Sequence, residues 1–136
     1  MIQIIAGKKG SGKTKRIIDM TNEMVKESVK DVVFIDDDNS YTREINIKAR
    51  FVNANEYGIK TPEMFLGFLC GMLSSNYDIG NIFIDAFLKL LKTDIADAEW
   101  FFKTLEVLCA KHEVNFVLSV SADPDELPEF VKGYII

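Results

Sequence analysis

The sequence predicts an α/β protein, a three-layer domain in which helices cover both faces of a mostly parallel, five-stranded sheet. Two observations predict this fold. Short runs of apolar, often β-branched residues alternate with segments whose apolar residues recur at helical spacing. The segments between the runs are long enough for the helical crossovers that parallel strands require. Because no linker or repeat interrupts the 136 residues, we expect one domain over residues 1–136.

Each element is predicted from local pattern. Candidate strands are 2–5, 32–35, 50–53, 81–85, 115–121 and 133–136. One helix begins at Lys13, a second at Pro62 behind a Thr61 cap, and a third runs from about Asp97 to His112. The second helix is apolar almost all round, which favours burial or contact with a partner. Residues 87–91 are either a short inward-packing helix or an apolar contact surface.

Composition excludes several functional classes. Apolar residues make up 48% of the chain and the net charge is −5, with the lysines dispersed. We therefore expect a globular protein that does not bind nucleic acid, because phosphate contacts need a basic surface. No apolar stretch is long enough to span a membrane and no signal peptide is visible, so a cytoplasmic location is expected. Cys70 and Cys109 are expected to be buried small hydrophobic residues, not a disulfide or a metal pair.

The strongest functional signal is the segment Gly7-Lys8-Lys9-Gly10-Ser11-Gly12-Lys13-Thr14, which follows the first strand and opens the first helix. It fits the pattern G-x-x-x-x-G-K-[ST] at every fixed position. Glycines allow successive backbone N–H groups to point into one concavity, and the helix dipole makes that concavity attractive to phosphate. Lys13 would contact the β- and γ-phosphates, and the Thr14 hydroxyl would help to bind Mg²⁺. The predicted ligands are ATP and Mg²⁺.

A magnesium–triphosphate site needs an acidic residue at the end of a neighbouring strand. Asp85 meets this need because it directly follows the apolar run 82–84. An aspartate that forms a turn after a strand is the simpler alternative. In combination with the glycine-rich loop, the pattern favours Asp85 as the second metal-binding residue, beside Thr14.

Taken together, these motifs resemble the P-loop NTPases, with Walker A at residues 7–14 and Walker B at residues 82–85. The resemblance covers essentially the whole chain and is closest to the branch of RecA-like ATPases, AAA ATPases and thymidine kinases. It implies a glutamate after the Walker B aspartate, where this chain has Ala86, and hydrolysis is therefore expected to be slow. It also implies that Ser119 or Ser121 acts as a polar sensor of the γ-phosphate, although a serine at a strand end often only caps a turn.

The segment Asp36-Asp37-Asp38-Asn39 supports a second interpretation. It resembles the Asp-x-Asp that small-molecule kinases such as shikimate kinase carry after their second strand. That resemblance implies that Asp36 or Asp38 orients a substrate hydroxyl and accepts its proton. The arginine-rich lid of such kinases is absent, and four consecutive turn-forming residues also suit a solvated loop.

The resemblance also bears on partners, because its members often borrow an arginine from a neighbouring subunit. Arg43 and Arg50 are the candidates here, and either could equally be an ordinary surface residue. The first hypothesis is an ATP-binding protein that works through a partner or a homo-oligomer. A small-molecule kinase and a non-hydrolysing nucleotide-binding module are the alternatives. ATP is favoured over GTP because no guanine-recognition motif is present.

Overall fold

A computed structural model describes the whole chain, residues 1–136. The strands are β1 (Ile2–Gly7), β2 (Asp31–Asp36), β3 (Arg50–Asn53), β4 (Ile79–Ile84) and β5 (Asn115–Ser121). The α-helices are α1 (Lys13–Glu27), α2 (Pro62–Ser75), α3 (Phe87–Leu91), α4 (Glu99–His112) and α5 (Glu129–Lys132). Short 3₁₀ turns span Thr42–Glu44, Ala54–Tyr57, Ile95–Asp97 and Pro124–Glu126.

All five strands are parallel and lie in the order β1-β5-β4-β2-β3. The predicted α/β class with a five-stranded sheet is confirmed. β5 lies between β1 and β4, so the strand that precedes the glycine-rich loop does not pair with the strand that precedes Asp85. Because the strands are parallel, all their carboxyl ends meet at one edge of the sheet, the usual ligand-binding edge of such folds.

Helices cover both faces of the sheet, because successive strand residues point to opposite sides. On one face α1 is the only α-helix, and its Ile17 and Ile18 belong to a cluster of nine buried residues that also includes Phe34 and Phe83. The other face holds a cluster of 28 buried residues, to which α2, α3, α4 and α5 all contribute. The sheet therefore divides the core into a small part under α1 and a large part under the remaining helices.

One predicted strand, 133–136, is wrong. The chain instead forms α5 and then a turn, in which the N–H of Tyr134 bonds to Val131 O and that of Ile135 to Lys132 O. The segment meets the outer edge of β1 through a single parallel bridge, in which Ile4 N–H donates to Tyr134 O at 2.8 Å and Ile136 N–H donates to Ile4 O at 3.0 Å. One isolated bridge is too short to form a strand. The fifth strand of the sheet is instead the candidate 50–53, which forms β3.

The apolar helix α2 is not buried all round. Phe65, Leu69 and Leu73 face the core, whereas Gly67 and Gly71 are exposed. The predicted Thr61 cap is confirmed, since its hydroxyl oxygen accepts the Met64 N–H at 3.1 Å. None of the helices combines the length and the apolar character needed to cross a bilayer.

Residues 87–91 form the short inward-packing helix, α3, which was one of the two predicted alternatives. Phe87 is fully buried, and its ring centroid lies 6.2, 5.8 and 5.7 Å from those of Phe65, Phe101 and Phe102. Aromatic contacts at such distances add to the free energy of burial. This packing fixes the chain immediately after Asp85, at the edge of the sheet where the carboxyl ends of the strands meet.

Candidate functional site

The carboxyl ends of four strands enclose one cleft. β1 leads into the glycine-rich loop, β5 carries Ser119, β4 is followed by Asp85, and β2 ends at Asp36. The cleft has a volume of about 370 Å³, which is within the range of small-molecule sites. Its lining is mostly polar and charged: Lys9, Lys13, Thr14, Asp36, Asp37, Asp38, Ser40, Tyr41, Asp85, Ala86, Phe87, Leu88, Lys89, Ser119 and Ser121.

The glycine-rich loop turns sharply between β1 and α1. Gly10 and Gly12 have φ angles of +84° and +87°, in the left-handed region that favours glycine. The Lys13 side chain curls back over the loop, where its ammonium donates to Lys8 O at 2.9 Å and to Ser11 Oγ at 3.4 Å. An ammonium has three donors, so one is left for a further acceptor in the cleft.

The N-terminus of α1 opens into this loop without a side-chain cap. Its N-cap is Gly12, no side-chain oxygen accepts from its first turn, and that turn holds no acidic residue. The first N–H groups of a helix lack intrahelical acceptors and carry the positive end of the dipole. Together with the Lys13 ammonium, they make this corner of the cleft suited to an anion such as phosphate.

Asp85 is buried and accepts hydrogen bonds on both carboxylate oxygens. Thr14 Oγ1 donates to Asp85 Oδ2 at 3.1 Å, and the Ser119 hydroxyl donates to Asp85 Oδ1. Thr14 and Asp85 are 71 residues apart in the chain. The structure therefore brings the Thr14 hydroxyl and the Asp85 carboxylate into direct contact. Ser119, on the intervening strand β5, also bonds to Asp85.

Ala86, the residue after Asp85, has φ +53° and ψ +42° and forms the N-cap of α3. A non-glycine residue in the left-handed region is strained, and such strain is concentrated at functional sites. The Ala86 N–H donates to Ser119 Oγ at 3.0 Å, which holds this conformation. The methyl side chain lines the cleft but supplies no acid or base.

Asp36 is the second buried carboxylate of the cleft, with only 2% of its surface exposed. Its Oδ1 accepts the Asp37 N–H at 2.7 Å, whereas its Oδ2 is buried without a hydrogen-bond partner. Burial, together with the nearby Asp37 and Asp85 carboxyl groups, raises the pKa of Asp36 to about 8. The Asp36 carboxyl therefore holds its proton to a higher pH than an exposed aspartate does.

Asp37 and Asp38 lie nearer to solvent. Asp37 Oδ2 is 3.7 Å from the Lys89 ammonium. Asp38 Oδ1 accepts the Ser40 N–H at 2.9 Å, and the hydrogen bonds from Ser40 hold the pKa of Asp38 below its ordinary value. Of the two aspartates predicted to orient a substrate, only Asp36 is buried in the cleft.

The predicted arginines do not reach the cleft of their own chain. Arg43 lies on the 3₁₀ turn Thr42–Glu44. Arg50 is the first residue of β3, so it lies at the amino-terminal end of that strand and not at the carboxyl ends that enclose the cleft. Conversely, Tyr41 and Lys89 line the cleft and were missed by sequence reasoning. Their only signal was closeness along the chain to Asp38 and Asp85.

Size alone does not single out this cleft, because a hollow of about 520 Å³ beside α1 and one of about 670 Å³ beside β3 are larger. Neither of them contains the Lys13 ammonium or the Asp85 carboxylate. No protein-family model matches this sequence, and a search of curated proteins gave no match. The choice of site therefore rests on the convergence of charged residues at the strand ends.

Proposed function

We propose that this chain is a Mg²⁺-dependent nucleoside-triphosphate-binding protein of the P-loop NTPase class, with ATP favoured over GTP. The observation that carries the proposal is the hydrogen bond of 3.1 Å between Thr14 Oγ1 and Asp85 Oδ2. It joins the last residue of the Walker A pattern to the Walker B aspartate across 71 residues. An unrelated turn-forming aspartate has no reason to face that hydroxyl.

The residues of the cleft divide into two groups under this proposal. The N–H groups of the loop and of the first turn of α1, with Lys13, would bind the phosphates. Thr14 and Asp85 would hold Mg²⁺, which neutralises charge on the β- and γ-phosphates. The donor set fits the metal, because a hydroxyl and a carboxylate are the hard oxygen ligands that Mg²⁺ selects.

Hydrolysis is proposed to be slow or stimulated by a partner. Rapid attack by water needs a group that orients the water and accepts its proton. Ala86 offers no such group, and Asp85 already accepts from two hydroxyls. We therefore propose that the protein acts through nucleotide-dependent contact with a partner or with a second copy of itself.

Calorimetric titration of the purified chain with ATP in the presence of Mg²⁺ tests this function. The Lys13→Ala variant should bind ATP about 10- to 100-fold more weakly, because a hydrogen bond to a charged group contributes about 1.5–3 kcal/mol. Lys26→Ala is the matched control, since Lys26 lies on the same helix in an exposed ion pair with Glu23. If the wild-type protein binds neither ATP nor GTP, the proposal is wrong.

A small-molecule kinase is the second candidate, favoured by the position of buried Asp36 in the same cleft. Here Asp36, once ionised, would orient an acceptor hydroxyl and take its proton as the phosphate is transferred. A screen of hydroxylated metabolites for ATP consumption separates the two functions. If no metabolite is phosphorylated, the kinase candidate fails and the nucleotide-binding function is unaffected.

A further inference from the structure

The unpartnered oxygen of Asp36 has no parallel elsewhere in the chain. Asp36 Oδ2 is the one buried side-chain nitrogen or oxygen that makes no hydrogen bond. Leaving such an atom unsatisfied costs free energy, and more when it carries charge. A bound ligand that contacts Oδ2 would offset this cost.

Two further carboxylates lie beside that oxygen. One ligand oxygen each from Asp36, Asp37 and Asp38 lies within 4.8 Å of the others. One carboxylate oxygen of Asp36 and one of Asp38 accept a hydrogen bond from a backbone N–H, and the second oxygen of each carboxylate accepts no backbone N–H. Three carboxylates this close repel one another unless a proton or a cation lies between them.

Lysine does not supply the missing positive charge at Oδ2. The Lys89 ammonium approaches Asp37 Oδ2 at 3.7 Å, and 73% of the Lys89 side chain is exposed. Four aspartates and three lysines line the whole cleft, so ionisation of Asp36 leaves a net negative charge there. A polyphosphate would add more negative charge, so this part of the cleft favours cations.

We propose that Asp36, Asp37 and Asp38 form a binding site for a second divalent cation, separate from the proposed Mg²⁺ position at Thr14 and Asp85. All the ligands are carboxylate oxygens, which select hard cations such as Mn²⁺, Mg²⁺ or Ca²⁺ over Zn²⁺ or Cu²⁺. The site requires no nucleotide, and therefore goes beyond the proposed function and does not depend on it.

Titration of the nucleotide-free protein with Mn²⁺, with free Mn²⁺ measured by electron paramagnetic resonance, tests the site. The wild-type chain should bind one Mn²⁺ with a Kd below about 1 mM, the weak end of carboxylate sites. Asp36→Asn should weaken that binding at least tenfold. Asp94→Asn is the control, because Asp94 also accepts a backbone N–H in a turn, at Ala96, but lies outside the cleft.

Lys13→Ala separates this inference from the proposed function, since that variant should lose ATP affinity and keep Mn²⁺ binding. Thermal unfolding adds a second measurement, in which Mn²⁺ should raise the Tm of the wild type but not of a folded Asp36→Asn. Wild-type affinity for Mn²⁺ in Asp36→Asn would overturn the proposal. So would the absence of Mn²⁺ binding below about 1 mM, the result expected if Asp36 and Asp37 only share a proton.

Discussion

Asp36 is the last residue of β2, and Asp85 directly follows β4, the neighbouring parallel strand. Both side chains are buried to a similar extent and face the same cleft. The Asp85 N–H even donates to Ile35 O, the residue before Asp36, at 2.9 Å. Yet hydroxyls satisfy both oxygens of Asp85, whereas Asp36 receives one bond from the next backbone N–H. The same residue type in the same position thus differs in chemistry because its neighbours differ.

The source of the difference is the flanking strand. Beside β4 lies β5, whose Ser119 faces Asp85, and α1 adds Thr14. Beside β2 lies β3, whose last residue Asn53 directs its side-chain oxygen to the Asn55 N–H. No side chain donates a hydrogen bond to Asp36, and its second oxygen has no partner.

The largest predicted loss of stability comes from removing Asp85. Asp85→Ala should lower the free energy of unfolding by about 3 kcal/mol, because the buried Ser119 hydroxyl and the half-buried Thr14 hydroxyl both lose their acceptor. Urea unfolding at neutral pH measures it. Asp85→Asn should lose less, since an amide oxygen still accepts one hydroxyl. A loss below about 1 kcal/mol in Asp85→Ala would show that the satisfied carboxylate contributes little to stability.

The next effect is the pH dependence that Asp36 imposes in metal-free buffer. Its pKa of about 8 in the folded protein is above the unfolded value of about 3.9. The contribution of Asp36 to the free energy of unfolding is therefore complete below about pH 4. It is lost as the pH rises towards 8, by up to about 1.4 kcal/mol per pH unit. Asp36→Asn should remove this decline, so the variant gains stability relative to wild type between pH 5 and pH 8.

Urea unfolding of both proteins with EDTA at pH 5 and at pH 8 measures that gain. Asp123→Asn serves as the control, because Asp123 accepts the Asp125 N–H in an exposed turn and should leave the decline in place. Parallel pH curves for wild type and Asp36→Asn would contradict the assignment of the decline to Asp36.

The smallest effect is expected at Lys89. Lys89→Ala should change the free energy of unfolding by less than about 0.5 kcal/mol, because an exposed ion pair contributes little. The measurement is again urea unfolding at neutral pH. A loss comparable to that of Asp85→Ala would mean that Lys89 stabilises the Asp36 side of the cleft as strongly as Thr14 and Ser119 stabilise Asp85.

Sequence reasoning reached most of the fold and part of the site. β1, β2, β4 and β5 were predictable because buried parallel strands are continuous apolar runs. The strand proposed for 133–136 was wrong, because a short apolar segment carries no periodicity that separates a strand from a turn. Sequence also gave no reason to place Lys89 or Tyr41 in the cleft, since neither belongs to a motif.

By itself, the sequence determined the α/β class, the glycine-rich loop at 7–14 and the aspartate after the fourth strand, since each depends on residues close together in the chain. Only the tertiary structure decided that both carboxylate oxygens of Asp85, and only one of Asp36, accept hydrogen bonds. Strand order places Ser119 beside Asp85, and the packing of α1 brings Thr14 to the same carboxylate. Hydrogen bonds between residues far apart in the chain depend on that order, which no local pattern encodes.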